Sequence, residues 1–335
     1  MSNRIYYANQ QIAFKPNASA SWVAAHGVQS VGLSTTFTLE QAFELGQLSI
    51  YENIEGVPEV EATVNKVLDG YPPLYLLATS SSADDSLIHR AESTTWMSLG
   101  IWPDTAISAS GTPTQQVEMT GMSVTAVSYE LTVDSSFTES ITLVGNDKAW
   151  LYESACADAG WSLSPVAGAF ETNNDSPVGT GGVQQRENFN TDLSTLPAEA
   201  TTGNARIQSI NISADISREN IFELGQKKPV ARLVNFPVEI TCDIEVIPSS
   251  GDMVNAFAQG CATALSKPCA GAVNNTEDRT IKITTCEGTV IDLGSKSRLS
   301  SVNYGGGDAG GGNATVSYTY TTFNDFTVSH INYDY

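Results

Sequence analysis

An internal repeat constrains the fold of this chain more than any other feature of its sequence. Residues 28–47 match residues 207–226 without a gap, at a constant offset of 179, and nine of the twenty aligned residues are identical. Other aligned positions exchange one β-branched or apolar residue for another, such as Val28 for Ile207. Because the match is both long and ungapped, we predict a duplicated domain.

The repeat ends in one run of five identical residues. A strand and the turn after it are what the two copies retain, which indicates conserved geometry rather than catalysis. Glycine readily takes a positive φ, so the glycine of the run marks a bend. We expect the glutamates to hold a turn or a neighbouring subunit and the phenylalanines to fill a core or an interface; the alternative is that the run stabilises each domain internally. The residues are Phe43, Glu44, Leu45, Gly46 and Gln47, and Phe222, Glu223, Leu224, Gly225 and Gln226.

Both copies have the same predicted order of elements. Apolar residues alternate in the opening strand with a period of two, which is typical of a half-buried β-strand. The turn, an extended loop and a second strand near Val60 or Val238 follow, and two or more strands close each copy. The opening strands are predicted at 30–34 and 209–213, and the loops at 48–56 and 227–235.

A short helical piece is predicted after the second strand of each copy. In the second copy, Ser250 can cap a helix whose apolar face holds Met253, Val254, Phe257 and Cys261. In the first copy, the prolines of the stretch 71–77 fit a first helical turn. The module is therefore strand–loop–helix–strand, and the fold class is mainly β with a few short helices.

The repeat divides the chain into three parts. Residues 1–150 form the first copy and residues 205–335 the second, and residues 151–204 are a connector rich in Gly, Pro and Asn. The connector is longer than a tether needs, which indicates a surface excursion or a partly ordered linker. The glycine-rich run 305–312 is predicted to be the tip of the closing hairpin.

The charge of the chain excludes some functions. Its 16 basic and 37 acidic residues give a net charge of −21, so it lacks the cationic surface that grips nucleic acid. No apolar run is long enough for a membrane helix, and the first ten residues do not resemble a signal peptide. The five cysteines are expected to be buried, reduced thiols, with a Cys261–Cys269 bridge as the alternative; they are Cys156, Cys242, Cys261, Cys269 and Cys286.

Candidate catalytic and metal-binding patterns are weak. His26, His89 and His330 are scattered, and no Cys-x-x-Cys pair is present, so we expect no metal or cofactor. The sequence has no Gly-x-Ser-x-Gly elbow, and the glycine-rich run lacks the Lys-Ser/Thr of a nucleotide loop. Paired acidic residues such as Glu277 and Asp278 are typical of solvated surface charges. We predict a protein that is not an enzyme.

The second copy, from Ile212 to Gln226 and on through the stretch 236–241, resembles the major tail tube protein of tailed bacteriophages. The resemblance covers both copies, about two-thirds of the chain. It implies a β-sandwich or barrel-like tail-tube domain with one flanking helix and a long loop that reaches the next ring. Some long-tailed phages carry this domain twice, so the resemblance implies three chains in a pseudo-hexameric ring.

The resemblance also implies the partners and the location of the protein. These are other copies of the chain in stacked rings, other tail proteins, and a virion tail assembled in the host cytoplasm. DNA would pass through the lumen without specific binding, and an acidic wall would repel it over about 8–10 Å. The expected ring-stacking residues lie in the two long loops: Tyr51, Glu52 and Glu55 in the first copy, and Lys227, Lys228 and Arg232 in the second.

Three other functions stay open at the level of sequence. A capsid decoration protein or another tail component would form isolated oligomers that do not stack. A secreted β-sandwich that binds or adheres would bind sugars, although the apparent lack of a signal peptide argues against it. A hydrolase with buried carboxylates would depend on one acidic residue, and the sequence singles none out.

Overall fold

The fold is described from a computed structural model of the chain. It describes residues 5, 7–46, 48–82, 85–102, 113–152, 155–156, 182–197, 200, 205–249, 251–252, 254, 278–307 and 311–331. Strands and helices are numbered in chain order. The predicted helix with Met253, Phe257 and Cys261, and most of the connector, lie outside these residues.

An antiparallel sheet of eight strands is the centre of the fold. The strands are β3 (Val28–Thr36), β6 (Glu59–Val67), β8 (Gln115–Thr132), β9 (Thr138–Gly145), β11 (Arg206–Asp215), β14 (Glu239–Ile247), β17 (Arg298–Gly305) and β18 (Thr315–Phe323). Their order across the sheet is β3-β6-β9-β8-β11-β14-β18-β17. We call the first four strands of this order the first half-sheet and the last four the second half-sheet.

Strand β8 is 18 residues long and belongs to two sheets. Its second part lies between β9 and β11, and its first part pairs with β7 and β10 in an extension of the first half-sheet. Strands β1 and β2 complete this extension beyond β7. The strands of the extension are β1 (Gln10–Lys15), β2 (Val23–Ala24), β7 (Thr95–Ile101) and β10 (Ala149–Tyr152).

The remaining elements are short. Strands β15 (Lys282–Thr284), β16 (Thr289–Asp292) and β19 (Thr327–His330) form a small sheet, and the helices are α1 (Leu74–Ala78) and α2 (Leu87–Ala91). Single turns of 3-10 helix lie at Tyr7–Asn9, Arg186–Asn188 and Leu193–Thr195. Two hairpins project from the main sheet: the first hairpin joins β4 (Leu39–Phe43) to β5 (Ile50–Glu55), and the second joins β12 (Arg218–Ile221) to β13 (Ala231–Val234).

One face of the main sheet forms the hydrophobic core. Its inner strands bury alternate side chains, as expected where one face of a sheet packs and the other faces solvent. Helix α1 and the small sheet cover this face, and Phe326 contacts the rings of both Tyr75 and Tyr129. A residue of the last part of the chain therefore packs on two elements of the first part.

The two half-sheets have matching registers. Ser30 lies opposite Asn65 and Ser209 opposite Glu245, and in each pair of strands the register shifts just before this serine, after Val28 and Ile207. Strand β8 has a second such shift against β9 between Val124 and Ala126, and β17 has the equivalent shift against β18 between Leu299 and Ser301. These matches support the proposal of a duplicated unit.

The structure tests several of the expectations from sequence. The mainly β fold with short helices is confirmed. Gly46 and Gly225 have positive φ angles of 94° and 93°, as predicted, and the prolines of the first copy precede α1, with Pro73 as its N-cap. The predicted extended loops were wrong, because each contains the return strand of a hairpin, β5 or β13.

A buried carboxylate fixes the start of α1. Glu139 of β9 accepts hydrogen bonds from the backbone N–H groups of Leu74 (2.5 Å) and Tyr75 (3.0 Å) and from the Tyr129 hydroxyl (2.7 Å). Burial raises the pKa of Glu139, and these hydrogen bonds oppose the rise. The side chain thus supplies the cap that Pro73 has no side-chain donor or acceptor to provide.

We expect Tyr129→Phe to lower the free energy of unfolding by about 1.5–3 kcal/mol at neutral pH, because Glu139 loses a hydrogen bond to its buried charge. The loss should shrink as pH falls through the raised pKa of Glu139, and it should be smallest below the ordinary pKa of glutamate. A carboxyl whose folded pKa is raised costs stability only while it is ionised, and the substitution raises that pKa further. Urea unfolding between pH 4 and pH 7 measures this, with exposed Tyr304→Phe as the control. An equal loss at both pH values would contradict the assignment.

Candidate assembly surfaces

The two half-sheets meet along one antiparallel strand pair. Strand β11 pairs with β8 from Ser209 opposite Thr132 to Asp215 opposite Ala126. The core-side residues on both strands are sealed from solvent; Ile212 is 2% exposed and Tyr129 opposite it is 1% exposed. The first strand of one half-sheet is therefore joined to the last strand of the other by backbone hydrogen bonds and a continuous core.

The main sheet ends in β3 and β17, which are the equivalents of β11 and β8, and both of these end strands have an open edge. Among the described residues, β3 pairs only with β6 and β17 only with β18. Leu33, which the repeat aligns with Ile212, is only half-buried, and Tyr304, which the register shifts align with Tyr129, is 50% exposed. An open edge with half-covered apolar side chains is a ready template for pairing with another chain.

A cleft beside the start of β3 reflects this open edge. It has a volume of about 790 Å³, and Tyr7, Gln10, His26 and Gln29 are among the residues that line it. Beside the start of β11 the corresponding cleft is only about 330 Å³, and Leu131 and Phe137 from the end of the β8–β9 hairpin line it. The larger cleft thus lies where the neighbouring hairpin is missing.

The solvent face of the main sheet is polar and acidic. We define the polar face as the outward side chains of the eight strands, which are mostly Ser, Thr and Asn. A row across the centre runs from Thr241 through Ser213 and Ser128 to Ser140 and Asn65. Most of its charges are carboxylates, at Glu61, Glu130, Asp215, Asp243 and Glu245.

Two arginines bind the second hairpin to the first half-sheet, and we call these contacts the clamp within the chain. Arg218 donates to the carbonyl oxygens of Val124 (2.8 Å from Nη2) and Ala91. Arg232 donates to the carbonyl oxygen of Val144 (2.6 Å) and to Oδ1 of Asn146 (2.9 Å). Burial, followed by the charge of Arg232, lowers the pKa of Arg218 to about 10.

Two lysines extend this clamp along the second hairpin. Lys228 lies 3.0 Å from the carboxylate of Asp147, and Lys227 lies 3.8 Å from that of Glu55 on the first hairpin. Both pairs are exposed, so each contributes little to stability. Lys227, Lys228 and Arg232 therefore contact the first half of their own chain, and their role in ring stacking stays a prediction.

The first hairpin carries an exposed apolar surface instead. Leu45 and Leu48 are fully exposed, and Phe43 and Tyr51 are 65% exposed. Ile54 and Leu39 are also exposed. Because monomers rarely leave so many large apolar side chains together in solvent, this surface indicates a protein partner.

The five repeated residues form the tips of the two hairpins. Phe222 and Leu224 are as exposed in the second hairpin as Phe43 and Leu45 are in the first. Glu44 and Glu223 are also exposed, so these side chains do not fill the core of the chain. Gln47 lies outside the described residues, and Gln226 is exposed. Tyr51, Glu52 and Glu55 lie together on β5.

A buried ionic cluster lies at the start of β3, at the end of the strand that is away from the first hairpin. Lys66 lies 2.9 Å from Asp69 and donates to the carbonyl of Pro72, and Asp69 also contacts the ring of His26. Burial alone would raise the pKa of Asp69, but the hydrogen bond from His26 and the charge of Lys66 outweigh it and lower the pKa. The cluster ties the turn before β3 to the turn after β6.

Neither a metal site nor a membrane-spanning helix is found in the described ranges. No group of three or more His, Cys, Asp and Glu side chains there has the geometry to hold a metal ion. None of the helices in the same ranges has the length and apolar character needed to cross a bilayer. Cys156 and Cys242 are buried free thiols, and Cys286 is an exposed one, which contradicts the expectation of burial for Cys286.

Comparison with known proteins gives structural neighbours, of which two come from the anti-feeding prophage. No family model and no curated protein sequence matches the chain. A chain in the cryo-EM structure of the anti-feeding prophage baseplate aligns with 45% of this chain and 98% of its own length, with 16% identity and a TM-score of 0.32. A chain in the cryo-EM structure of the cap that terminates the tube of the same particle aligns over 46% and 94%, with 9% identity and a TM-score of 0.33. Similarity this low transfers no residue roles to this chain.

Sequence reasoning missed the arginine contacts. Arg232 was predicted to face another ring and Arg218 had no predicted role, because their acceptors are backbone carbonyls, which leave no signal in a sequence. The exposed apolar hairpin, in contrast, has a signal in the stretch 37–54, where Phe, Leu, Ile and Tyr recur without the alternation of a half-buried strand.

We expect Arg218→Met to lower the free energy of unfolding by about 1–3 kcal/mol, because the carbonyls of Ala91 and Val124 lose their shared donor. The methionine keeps most of the aliphatic packing. Arg298→Met is the matched control, since Arg298 forms an exposed pair with Asp278 and should cost less than about 1 kcal/mol. Urea unfolding measures both variants, and equal losses would show that Arg218 does not act through these buried contacts.

Proposed function

We propose that this protein is a structural component of a phage tail, and that it assembles head to tail into rings that stack into the tail tube. One observation carries the proposal: the joint between β8 and β11 unites the same two kinds of strand that stay open at the ends of the sheet. Such complementary edges form a heterologous interface, which closes into a ring when the rotation allows.

The joint inside the chain gives the register of the joint between chains. Ser213 lies opposite Ser128. The repeat aligns Ser213 with Ser34, and the register shifts align Ser128 with Asn303. In the ring, Ser34 of β3 therefore lies opposite Asn303 of the next chain's β17, and Leu33 lies opposite Tyr304. The half-covered side chains of both edges become buried there.

In this ring, the polar face lines the lumen. The core face is covered by α1 and the small sheet, so it has no room for a channel. The carboxylates of the polar face then repel the phosphates of passing DNA, and hydroxyl groups provide a wall without fixed cationic contacts. Three chains with two half-sheets each give the pseudo-hexameric symmetry that the sequence resemblance implies.

Stacking of rings is assigned to the tips of the hairpins. Leu45 and Leu224 are fully exposed, and each has an exposed phenylalanine two residues before it. Identical tips on both half-sheets present the same contact six times around a ring of three chains. This assignment gives the repeated residues the interface role that their exposure favours over an internal one.

The register predicts a specific cross-link. In Ser34→Cys/Asn303→Cys, mild oxidation should join chains through disulfides, because opposed residues of antiparallel strands have suitable Cα separations. Closed trimers should resist denaturation without reductant. Ser34→Cys/Ser301→Cys is the matched control, since Ser301 lies on the same face but two residues out of register. The unmodified chain controls for the native cysteines.

Electron microscopy of the same samples tests the shape of the assembly. Hollow rings that stack, with a pore of at least about 20 Å for duplex DNA, are the expected result. Cross-links in the Ser301 control but not in the Asn303 variant would contradict the register. Closed oligomers that never stack would contradict the tube and favour a decoration protein.

A change of charge on the polar face tests whether this face lines the lumen. We expect tubes of Glu130→Lys/Glu245→Lys to retain duplex DNA of a length that the wild-type tubes release, because phosphates then find fixed cations. Retention should weaken steeply as salt rises. Glu187→Lys adds positive charge on an exposed turn away from the polar face and is the control. DNA retention on sedimented tubes measures this, and equal retention by all three proteins would remove the polar face from the lumen.

A further inference from the structure

We propose that the first hairpin is an apolar clamp that docks on the second half of the next chain in the ring. The inference rests on the proposed ring. It assigns a partner to the exposed apolar surface of β4 and β5, which contacts no equivalent surface in the described part of the chain. The occupant is a second copy of this chain, at the base of its second hairpin.

The contacts of the second hairpin show where the first must dock. Within the chain, the second hairpin lies across the joint between half-sheets, and its Lys227 reaches Glu55 at the base of the first hairpin. The two hairpins have the same register from the base, where Leu39 lies opposite Glu55 as Arg218 lies opposite Val234, up to Ala42 opposite Glu52 and Ile221 opposite Ala231. At the joint between chains, Leu48 therefore takes the place of Lys227.

The residue on the other side of this contact also changes from charged to apolar. The repeat aligns Glu55 with Val234, which lies opposite Arg218 at the base of the second hairpin. A charged pair, Lys227 and Glu55, inside the chain thus corresponds to an apolar pair, Leu48 and Val234, between chains. Both residues of the pair change together from charged to apolar. Each contact is therefore complementary in itself, and the two contacts differ from each other.

The two arginines of the second hairpin also have uncharged equivalents in the first hairpin. Leu39 stands in the place of Arg218, and Asn53 in the place of Arg232. The second half-sheet presents exposed Phe323 and half-exposed Leu233 and Phe236 near the end of β18 and the base of its hairpin. The clamp between chains is therefore apolar, whereas the clamp within the chain is made by hydrogen bonds and charge. An apolar hairpin cannot satisfy the carbonyls that Arg218 and Arg232 hold, so the two clamps are not interchangeable.

An exchange of residues between the two pairs tests the inference. Leu48→Lys should raise the concentration at which half of the chains are in rings by about tenfold or more, because a buried leucine is lost from the contact. Leu48→Lys/Val234→Glu should recover most of this loss, because it places the internal charged pair at the joint between chains. Mass photometry across a dilution series measures ring formation.

Leu193→Lys is the matched control, since it adds the same charge at an exposed leucine in a turn outside both hairpins and both sheet edges. It should leave ring formation within about twofold of wild type. A loss equal to that of Leu48→Lys would mean that charge alone acts, and it would overturn the inference. Failure of Val234→Glu to rescue Leu48→Lys would overturn the pairing. Leu48→Lys and Leu193→Lys should unfold at the temperature of the wild type, because these side chains are exposed. Val234 packs partly against the core, so the double variant is compared with Val234→Glu alone, which measures any loss of stability at that position.

The Ser34→Cys/Asn303→Cys cross-link separates this inference from the proposed function. If that cross-link forms and Leu48→Lys assembles like wild type, the ring stands and the apolar clamp is wrong. If neither the cross-link nor rings form in the otherwise unaltered chain, the ring itself is wrong and the clamp falls with it.

Discussion

The pairing of β8 with β11 is the interaction on which the rest of the structure depends. It turns two four-stranded sheets into one sheet of eight strands, continues the core across the joint and brings the second hairpin onto the first half of the chain. Backbone hydrogen bonds set its register, and alternation of side chains sets which face is buried. A slip of one residue would move every apolar side chain of β11 to the solvent face, so the joint is tightly specified.

The polar contacts of the chain are concentrated around this joint. Arg218 binds the carbonyl oxygen of Val124 at the register shift of β8 against β9, and Arg232 binds that of Val144 near the end of β9. Glu139 satisfies the first turn of α1 from the opposite side of the same strands. Burying these charges is costly, and each is stabilised because several hydrogen bonds act on it at once.

Much of this architecture was predictable because it follows from period and repeat. Alternation of apolar residues predicted the first strand of each copy, the start of the second strand came from the continued match, and the glycines at 46 and 225 predicted the bends. The return strands β5 and β13 were not predicted, because their outward side chains lack alternation. A strand that is exposed on both faces is recognised only by its partner.

The candidate assembly surfaces were less predictable than the fold. The repeated tips and the charged segments could be named from the sequence, but the open edges depend on which strands lie next to one another. Strand order is a property of the whole sheet, and no local pattern near Leu33 or Tyr304 carries it. The acidic side chains of the polar face became identifiable only when register placed Glu130, Asn211 and Asp243 in one row.

The covalent link between the two half-sheets has a consequence for the kinetics of assembly. In the proposed ring, every open arc of chains exposes one edge of each kind, however many chains it contains, and such edges are where unwanted aggregation begins. Three chains that each bring two joined units need two bimolecular steps before the circle closes, whereas six separate units would need five. The link therefore shortens the time during which unpaired strand edges are exposed. At every second joint the neighbouring unit is also fixed by the chain itself, so a wrong partner cannot take that position.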